Sequence, residues 1–367
     1  MTDFLNLPTK EQFDMQNAIL ASIASHVGTE GIKISNWEDV QRIVRMGLAD
    51  KVFTVGDQFV SKYGADKEII WDVIGIDHDI PTDKKYTHSL TIQTHDCILD
   101  AQFDAKEALY YVETELPAGT YNFTYNSVTY QFTLTQPVPT GGQITFPWAY
   151  NTDILTTKIS TYESQASTVA IETVDIVVGS EGTELTPIND MNRCRYGSNN
   201  YLESNVRQWL NSNEASFTWT PKTNYDRPST GSPYSGAGFL KLLDPELVAV
   251  IGEADKQVAR NTVTDGGGQD LFSDKVFLLS RVEVYGGAEG DTAGEEPYPY
   301  YSALATSPVF GELAGRIKLL NGSLGNWWLR SPNVGTSGLT RYVSIYGSGG
   351  NNSATSANEL SPACVII

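Results

Sequence analysis

Two hydrophobic periods divide this chain. Phe13, Ala18, Leu20, Ile23 and Ala24 mark a rough apolar stripe and predict a helix over residues 9–25. The stripe is too short for an autonomous helix, so it packs back on its own domain, against a second copy, or into a larger assembly. Trp37, Val40, Ile43, Val44 and Leu48 repeat at helical spacing, with Ser35 as the expected N-cap and Asp39 and Arg42 as a favourable i,i+3 pair. The period then shortens. Lys51–Val55 alternates and reads as a strand before a turn at Gly56-Asp57. Ile69–Ile76 is an apolar run expected of a central strand, Ser89–Thr94 is another strand, and Asp104–Tyr111 begins a short helix.

From about Val112 the texture is all β. Tyr121–Tyr125 and Val128–Leu134 alternate cleanly across Asn126-Ser127, a hairpin signal. Gln143–Phe146 and Ser167–Val178 continue the pattern, so residues 112–186 read as a β-sandwich inserted into another domain. The first texture resumes near Asn189. Tyr201–Asn211 predicts an amphipathic helix with Leu202, Val206, Trp209 and Leu210 on one face and Ser198 as its cap. Phe239–Leu243 predicts a helical turn, Leu247–Ile251 a strand opened by Pro245, Lys275–Ser280 a strand, and Gly286–Tyr301 a Gly-, Glu- and Pro-rich loop.

In the C-terminal block, Asn326–Ser331 carries adjacent tryptophans, and Trp327 and Trp328 must point to opposite sides of a strand. Arg330 is placed to tie loops together through several hydrogen bonds. Residues 333–358 are almost all Gly, Ser, Thr, Asn, Ala, Tyr and small aliphatics. Within them Arg341–Tyr346 alternates, with Val343 and Ile345 inward and Tyr342, Ser344 and Tyr346 outward. Gly347–Asn352 turns the chain, and Pro362–Ile367 closes it as a buried strand. Tyr, Ser, Gly and Asn are residues that binding loops favour, because tyrosine gives contact area at low entropy cost and small polar residues give adaptable hydrogen bonds.

Composition narrows the function classes. A length of 367 residues allows two or three domains, and 40% hydrophobic residues indicate a packed core. A net charge of -19 argues against a grip on nucleic acid or an anionic membrane and suits a cationic or neutral partner. No apolar run approaches the ~20 residues that cross a bilayer, and Met1–Pro8 lacks the basic and apolar regions of a signal peptide. Synthesis in the cytoplasm without membrane insertion is therefore expected. Cys97, Cys194 and Cys364 are scattered and read as buried hydrophobes. Asp77-His78-Asp79 with His88, His95 and Asp96 has no standard metal spacing and reads as a polar loop edge. Asp291, Glu295 and Glu296 are the acids a structural calcium ion would draw on. Among prolines and glycines they read as a solvated loop, and no cofactor is expected. Ser-His-Asp arrangements, Walker loops and dinucleotide fingerprints are missing from the sequence.

The string Asn326-Trp327-Trp328-Leu329-Arg330-Ser331-Pro332, followed by a Gly/Asn/Ser-rich stretch and a short apolar C-terminus, resembles the C-type-lectin-fold variable proteins of diversity-generating retroelements. Val40–Gly47, Val55–Gln58, Tyr201–Asn211 and Lys275–Ser280 are similar to the same group. The resemblance implies an α+β, C-type-lectin-like (formylglycine-generating-enzyme-like) domain over 36–111 and 187–367. The 112–186 sandwich is inserted in it, a helical oligomerisation or attachment segment at 1–35 precedes it, and a variable ligand-binding region occupies 326–367. Formylglycine-generating enzymes need neighbouring reactive cysteines. Cys364 lies in the apolar last strand and Cys194 far from it in sequence, so binding is expected and catalysis is not.

The resemblance also implies adenine-directed replacement of codons. Residues 333–358 contain no Lys, Gln, Glu, Met or Trp, the five residues such replacement of Asn codons cannot reach. The implied variable positions are Val334, Thr336, Ser337, Leu339, Thr340, Arg341, Tyr342, Ser344, Tyr346, Ser348, Asn351, Asn352, Ser353, Ser356 and Asn358. The implied scaffold is Trp327, Trp328, Arg330 and Pro332. One departure is the ending Leu360–Ile367, because the group more often has a basic residue before this proline. The implied role is a phage receptor-binding or tail-associated virion protein, made in a bacterial cytoplasm. It would be a homo-oligomer, with a trimer the expected state. Its partners would be a host-surface protein or glycan and, through 1–35, other virion proteins. The alternative is a carbohydrate- or protein-binding structural virion protein without diversification.

Overall fold

A computed structural model describes residues 36–105 and 198–367, apart from 223–227, 230, 263–264, 288, 291–294 and 303–313, together with short strands between 110 and 164. The helix expected over 9–25, the strand Ser167–Val178 and Cys194 lie outside the described residues.

Helix α1 (Trp37–Arg45) starts at Asn36, one residue after the expected cap. The Asn36 side chain accepts a hydrogen bond from the Asp39 amide at 2.8 Å. Trp37, Val40, Ile43 and Val44 are its buried stripe, and Arg42 pairs with Asp39 at 3.2 Å as the spacing predicts. The segment expected as a strand from Lys51 is instead the helical turn α2 (Ala49–Val52). Local bonds decide it: the Phe53 amide donates to the Ala49 carbonyl and the Lys51 amide to the Leu48 carbonyl.

Strands β1 (Gln58–Tyr63) and β2 (Lys67–Ile76) form a hairpin, followed by β3 (Ile80–Pro81), β4 (Leu90–Thr94) and β5 (Asp100–Gln102). The helix expected from Asp104 gives way at its end to β6 (Tyr110–Tyr111), which pairs with a later strand. The expected hairpin is present as β7 (Gly119–Tyr125) and β8 (Val128–Leu134), with Tyr125 opposite Val128. Strand β9 (Gln143–Ile144) is the partner of β6, and β10 (Glu163–Ser164) adds to β7.

Helix α3 (Asn205–Leu210) begins later than its periodicity suggests. Ser204 caps it, not Ser198, because Tyr201–Glu203 is a turn closed by the Ser204 amide on the Tyr201 carbonyl. After α4 (Phe239–Leu242) comes a correction of type. Residues 247–250 belong to helix α5 (Pro245–Val250), not to a strand. Asp244 caps its N-terminus and Pro245 occupies the first turn, where its missing N–H costs nothing. Strand character starts at β11 (Ile251–Gly252) and continues in β12 (Ala254–Ala259), β13 (Gln269–Asp274) and β14 (Val276–Phe277). Helix α6 (Arg281–Tyr285) opens with a capping box of Ser280 and Glu283. The stretch expected as plain loop up to Tyr301 contains α7 (Pro299–Ser302) and the fully buried Tyr298 and Tyr301. The chain ends in β15 (Lys318–Leu320), β16 (Ser323–Gly325), β17 (Trp327–Pro332), β18 (Leu339–Val343), β19 (Gly349–Ser353), β20 (Ala357–Glu359) and β21 (Ala363–Ile366).

The fold is α+β and mostly sheet. One sheet runs β1-β2-β4-β21-β11, with β14 also on β21, so the C-terminal strand lies in its middle. A second runs β19-β18-β17-β20-β5. Two apolar clusters fill the described structure, one around Trp37, Trp71, Trp209 and Trp328, the other around Phe277, Tyr298, Tyr301 and Trp327. No described helix is long and apolar enough to cross a membrane. Cys97 and Cys364 are free and buried, and burial pushes the Cys97 thiol up to about 12.

Candidate functional site

Strand β17 anchors the site. Strand alternation sends Trp327 into one core and Trp328 into the other, and both are fully buried. Each indole N–H is satisfied by a carbonyl at 2.9 Å, that of Arg316 for Trp327 and that of Ala101 for Trp328. Arg330 is buried as well. Its guanidinium donates to the Gln257 carbonyl at 3.0 Å, the Leu278 carbonyl at 2.8 Å, both oxygens of Glu283 at 2.6 and 2.9 Å, and Glu295. Lys256 continues the network to Asp79, to Glu283 at 2.8 Å and to the Tyr298 hydroxyl at 2.7 Å. Burial opposes ionisation of Glu283, but Arg330 and Lys256 outweigh it and hold the carboxyl well below the usual range. Glu295 goes the other way. Burial, joined by the nearby Glu283, pushes it up to about 7 against the pull of Arg330. Glu295 is therefore no solvated loop acid, as its glycine and proline neighbours suggested. Pro332, the last scaffold position, is buried opposite Thr340.

On this strand sits the β18–β19 hairpin, in register from Leu339 opposite Ser353 to Val343 opposite Gly349. The sequence suggested a strand through Tyr346 and a turn over Gly347–Asn352. The turn is instead at Ser344–Gly347, and Gly349–Ser353 is a strand, so Ile345 is half-buried in the turn. Gly347, at φ 76°, closes that turn with its amide on the Ser344 carbonyl, and its own carbonyl accepts from the Tyr285 hydroxyl at 2.9 Å.

The implied variable positions divide by exposure. Tyr346, at 57%, Ser348 and Asn351 are exposed. Val334, Leu339, Arg341, Tyr342, Ser344, Asn352, Ser353 and Ser356 are half-buried. Thr336, Ser337, Thr340 and Asn358 are buried, so they do not belong to the surface. The reason is a clamp the sequence did not reveal. Asn199 donates its side-chain amide to the carbonyls of Asn333, Thr336 and Leu339 at 3.2, 2.6 and 3.0 Å, folding 333–339 inward. Asn261 in turn donates to Asn199 at 2.8 Å. Asn358 sits in β20 between β17 and β5 and accepts from Asn352 at 3.0 Å.

Arg341 is held by Glu289 at 2.8 Å and reaches Asn351 at 2.5 Å, while Arg281 approaches the same Glu289 at 3.4 Å. Tyr342 stands edge-on to Trp328 with ring centroids 6.5 Å apart and covers Gly350, where an added Cβ would lie 2.6 Å from the ring. Asn199, Asn261 and Glu289 carry no motif. Only their pairing in space marks them.

The Asp and His residues weighed for a metal do not converge. His88 pairs with Asp77 at 3.0 Å, His95 with Asp72 at 2.9 Å, and Asp79 with Lys256. Among the described residues there is no group of three or more His, Cys, Asp or Glu arranged to hold a metal ion.

A family model described as a domain of unknown function, DUF6273, matches residues 153–367. The chain belongs to the DUF6273 family. No curated protein and no solved structure matches it. The DUF6273 match contains β17, the whole β18–β19 hairpin, Asn199, Lys256, Glu283, Glu289 and Glu295. It leaves out Asp79, the Ala101 acceptor of Trp328, and β1 to β5, although β4 and β21 are paired neighbours.

Proposed function

We propose that this chain is a ligand-binding display protein. In this reading a C-type-lectin-like domain presents the β18–β19 hairpin to a host-cell-surface ligand, and a retroelement diversifies that surface. The protein is carried on a phage virion, in the tail or on the surface, as a homo-oligomer, with a trimer expected. It attaches to other virion proteins through residues 1–35, and modest contacts are multiplied by avidity. One observation carries the reading: Tyr346, Ser348 and Asn351 are exposed on a hairpin whose supporting strand is locked into two cores by Trp327 and Trp328. Changes at those tips leave the buried anchors untouched, which is what a surface built to change requires.

The test is a glycan-array and host-cell binding profile of the wild type and of the double variant Tyr346→Ala, Asn351→Ala. Altered or lost binding with a retained fold supports the surface, and an unchanged profile refutes it. Tyr342 is a poorer choice, because its packing on Trp328 and Gly350 ties it to the fold.

The second reading, a fixed carbohydrate- or protein-binding structural component, is favoured at four positions by the burial of Thr336, Ser337, Thr340 and Asn358. The locus separates the two. A neighbouring reverse transcriptase and a near-identical template repeat belong with diversification, and their absence leaves the fixed surface.

A further inference from the structure

A cation and an acid are sealed together in the described core. Lys256 and Asp79 meet with only 4% of each side chain exposed, and Glu283 beside them is 3% exposed. Their backbones fix the meeting. Strands β3 and β12 pair Pro81 with Ala254 and Ile80 with Asp255, and the next step of that register sets Asp79 opposite Lys256. The surroundings are aromatic, with Lys256 Nζ 4.1 Å from the centre of the Phe277 ring and 5.2 Å from that of Tyr298. Holding two opposite charges out of water is unfavourable, and a reaction that removes both at once relieves that penalty.

The groups around the pair are those that an amide condensation needs. Lys256 Nζ donates to Asp79 Oδ1, so nucleophile and carboxyl are already in contact. The Tyr298 hydroxyl accepts from Nζ at 2.7 Å and donates to Asp79 Oδ2 at 2.7 Å, which makes it a proton bridge from amine to acid. The Thr91 hydroxyl donates to the same Oδ2. Both donors therefore stand on one carboxylate oxygen, the one that has to leave. Glu283 Oε1 accepts from Nζ at 2.8 Å, and Arg330 holds that carboxylate at 2.6 and 2.9 Å, so the amine is steadied by a fixed acceptor. Asp79, Lys256 and Glu283 also line a cleft of about 750 Å³, a route out for a small leaving molecule.

We propose that Lys256 and Asp79 join in an intramolecular isopeptide bond, an autocatalytic modification that releases water. The ammonium gives two of its three protons to Asp79 Oδ2 through Tyr298. The nitrogen lone pair forms a bond to Cγ, the Cγ–Oδ2 bond breaks, and Oδ2 leaves as water. The third proton stays on the amide nitrogen and keeps its hydrogen bond to Glu283, and Oδ1 becomes the amide carbonyl oxygen. Charge balances, because one cation and one anion disappear together, and no oxidant is required. Fixed contact of the reacting groups replaces the encounter that makes this condensation slow between free side chains in water. The bond spans a sequence separation of 177 residues and ties Asp79, outside the DUF6273 match, to Lys256 within it. A cross-link over so long a loop strongly restricts the unfolded chain. It is independent of what the hairpin binds.

The test is intact mass measurement of the full chain under denaturing, reducing conditions, followed by tryptic mapping. The mass should lie one water below that of the sequence. A branched peptide should join residues 68–84, which hold Asp79, to residues 242–260, left uncut at Lys256, and its fragments should place the bond at Asp79. Tyr298→Phe keeps the ring and removes the proton bridge. With its fold checked by thermal melting, it should close at least about tenfold more slowly, read as the share of chain at full mass in a time course of cell-free synthesis. A wild-type chain at full sequence mass overturns the proposal. So does a water loss that maps elsewhere, such as a succinimide at Asp265-Gly266. Closure of Tyr298→Phe at the wild-type rate overturns the proton path.

Discussion

Arg330 makes its hydrogen bonds in full burial, to two carboxylates and two carbonyls, and its planar fork is what allows them at once. Lysine has no such fork. Arg330→Met removes fork and charge together and should cost about 3–5 kcal/mol in denaturant unfolding, the range for breaking a buried ion pair, and a loss under about 1 kcal/mol would remove Arg330 from the role of anchor. Its two carboxylates predict opposite pH trends. Glu283 is held below the ordinary range, so its contribution is present above the unfolded carboxyl pKa and is lost as pH falls through the lower, folded one. Glu295 is raised to about 7, so the folded state binds its proton more tightly. Stability from this group is full in acid and declines as pH rises from about 4.3 towards 7. Glu295→Gln removes that decline, and its melting temperature relative to wild type should rise between pH 5 and pH 8. A difference that falls over the same interval would contradict the assignment. Arg330 was legible in the sequence as a residue that ties loops together. Its partners were not, because Gln257, Leu278, Glu283 and Glu295 come from separated stretches of the chain and meet Arg330 only through tertiary packing.

At the scale of elements, the β18–β19 hairpin depends on Gly350. An added methyl there would meet the Tyr342 ring at 2.6 Å, and that ring is packed against Trp328. Gly350→Ala should destabilise the protein by about 1–3 kcal/mol through overpacking, whereas Ser348→Ala should stay within about 0.5 kcal/mol. Equal effects in thermal melts would contradict this register. The same residues explain what the sequence concealed. Gly349-Gly350-Asn351-Asn352 has turn composition, and only pairing with Leu339–Val343 makes it a strand. Leu247–Val250 failed in the opposite sense. Its apolar run suits either state, and the Asp244 cap with Pro245 decides for helix. Trp37–Arg45 was readable because burial follows its helical period, and Ile69–Ile76 because a continuous apolar run suits a strand buried on both faces.

At the scale of the molecule, the DUF6273 segment is not a closed structural unit. Strand β21 lies between β4 on one side and β11 with β14 on the other, and Trp328 bonds to Ala101. A fragment of residues 153–367 would leave that edge of β21 unpaired and expose the apolar faces that β2 and β4 cover. It should show neither a cooperative melt nor slow amide exchange in Ala363–Ile366, and protection equal to the full chain would contradict this. The α+β class, the buried last strand and the opposed tryptophans were legible in the chain. The inward fold of 333–339 was not, since it rests on Asn199 lying well over a hundred residues upstream.

The central claim is that the hairpin surface binds while its support folds. The most direct measurement is a substitution scan of residues 333–358, reading protease resistance and host-cell binding in parallel. Changes at Tyr346, Ser348 and Asn351 should alter binding and leave resistance intact, and changes at Thr336, Ser337, Thr340 and Asn358 should lower resistance. Binding unmoved by any change at Tyr346, Ser348 and Asn351 would contradict the account.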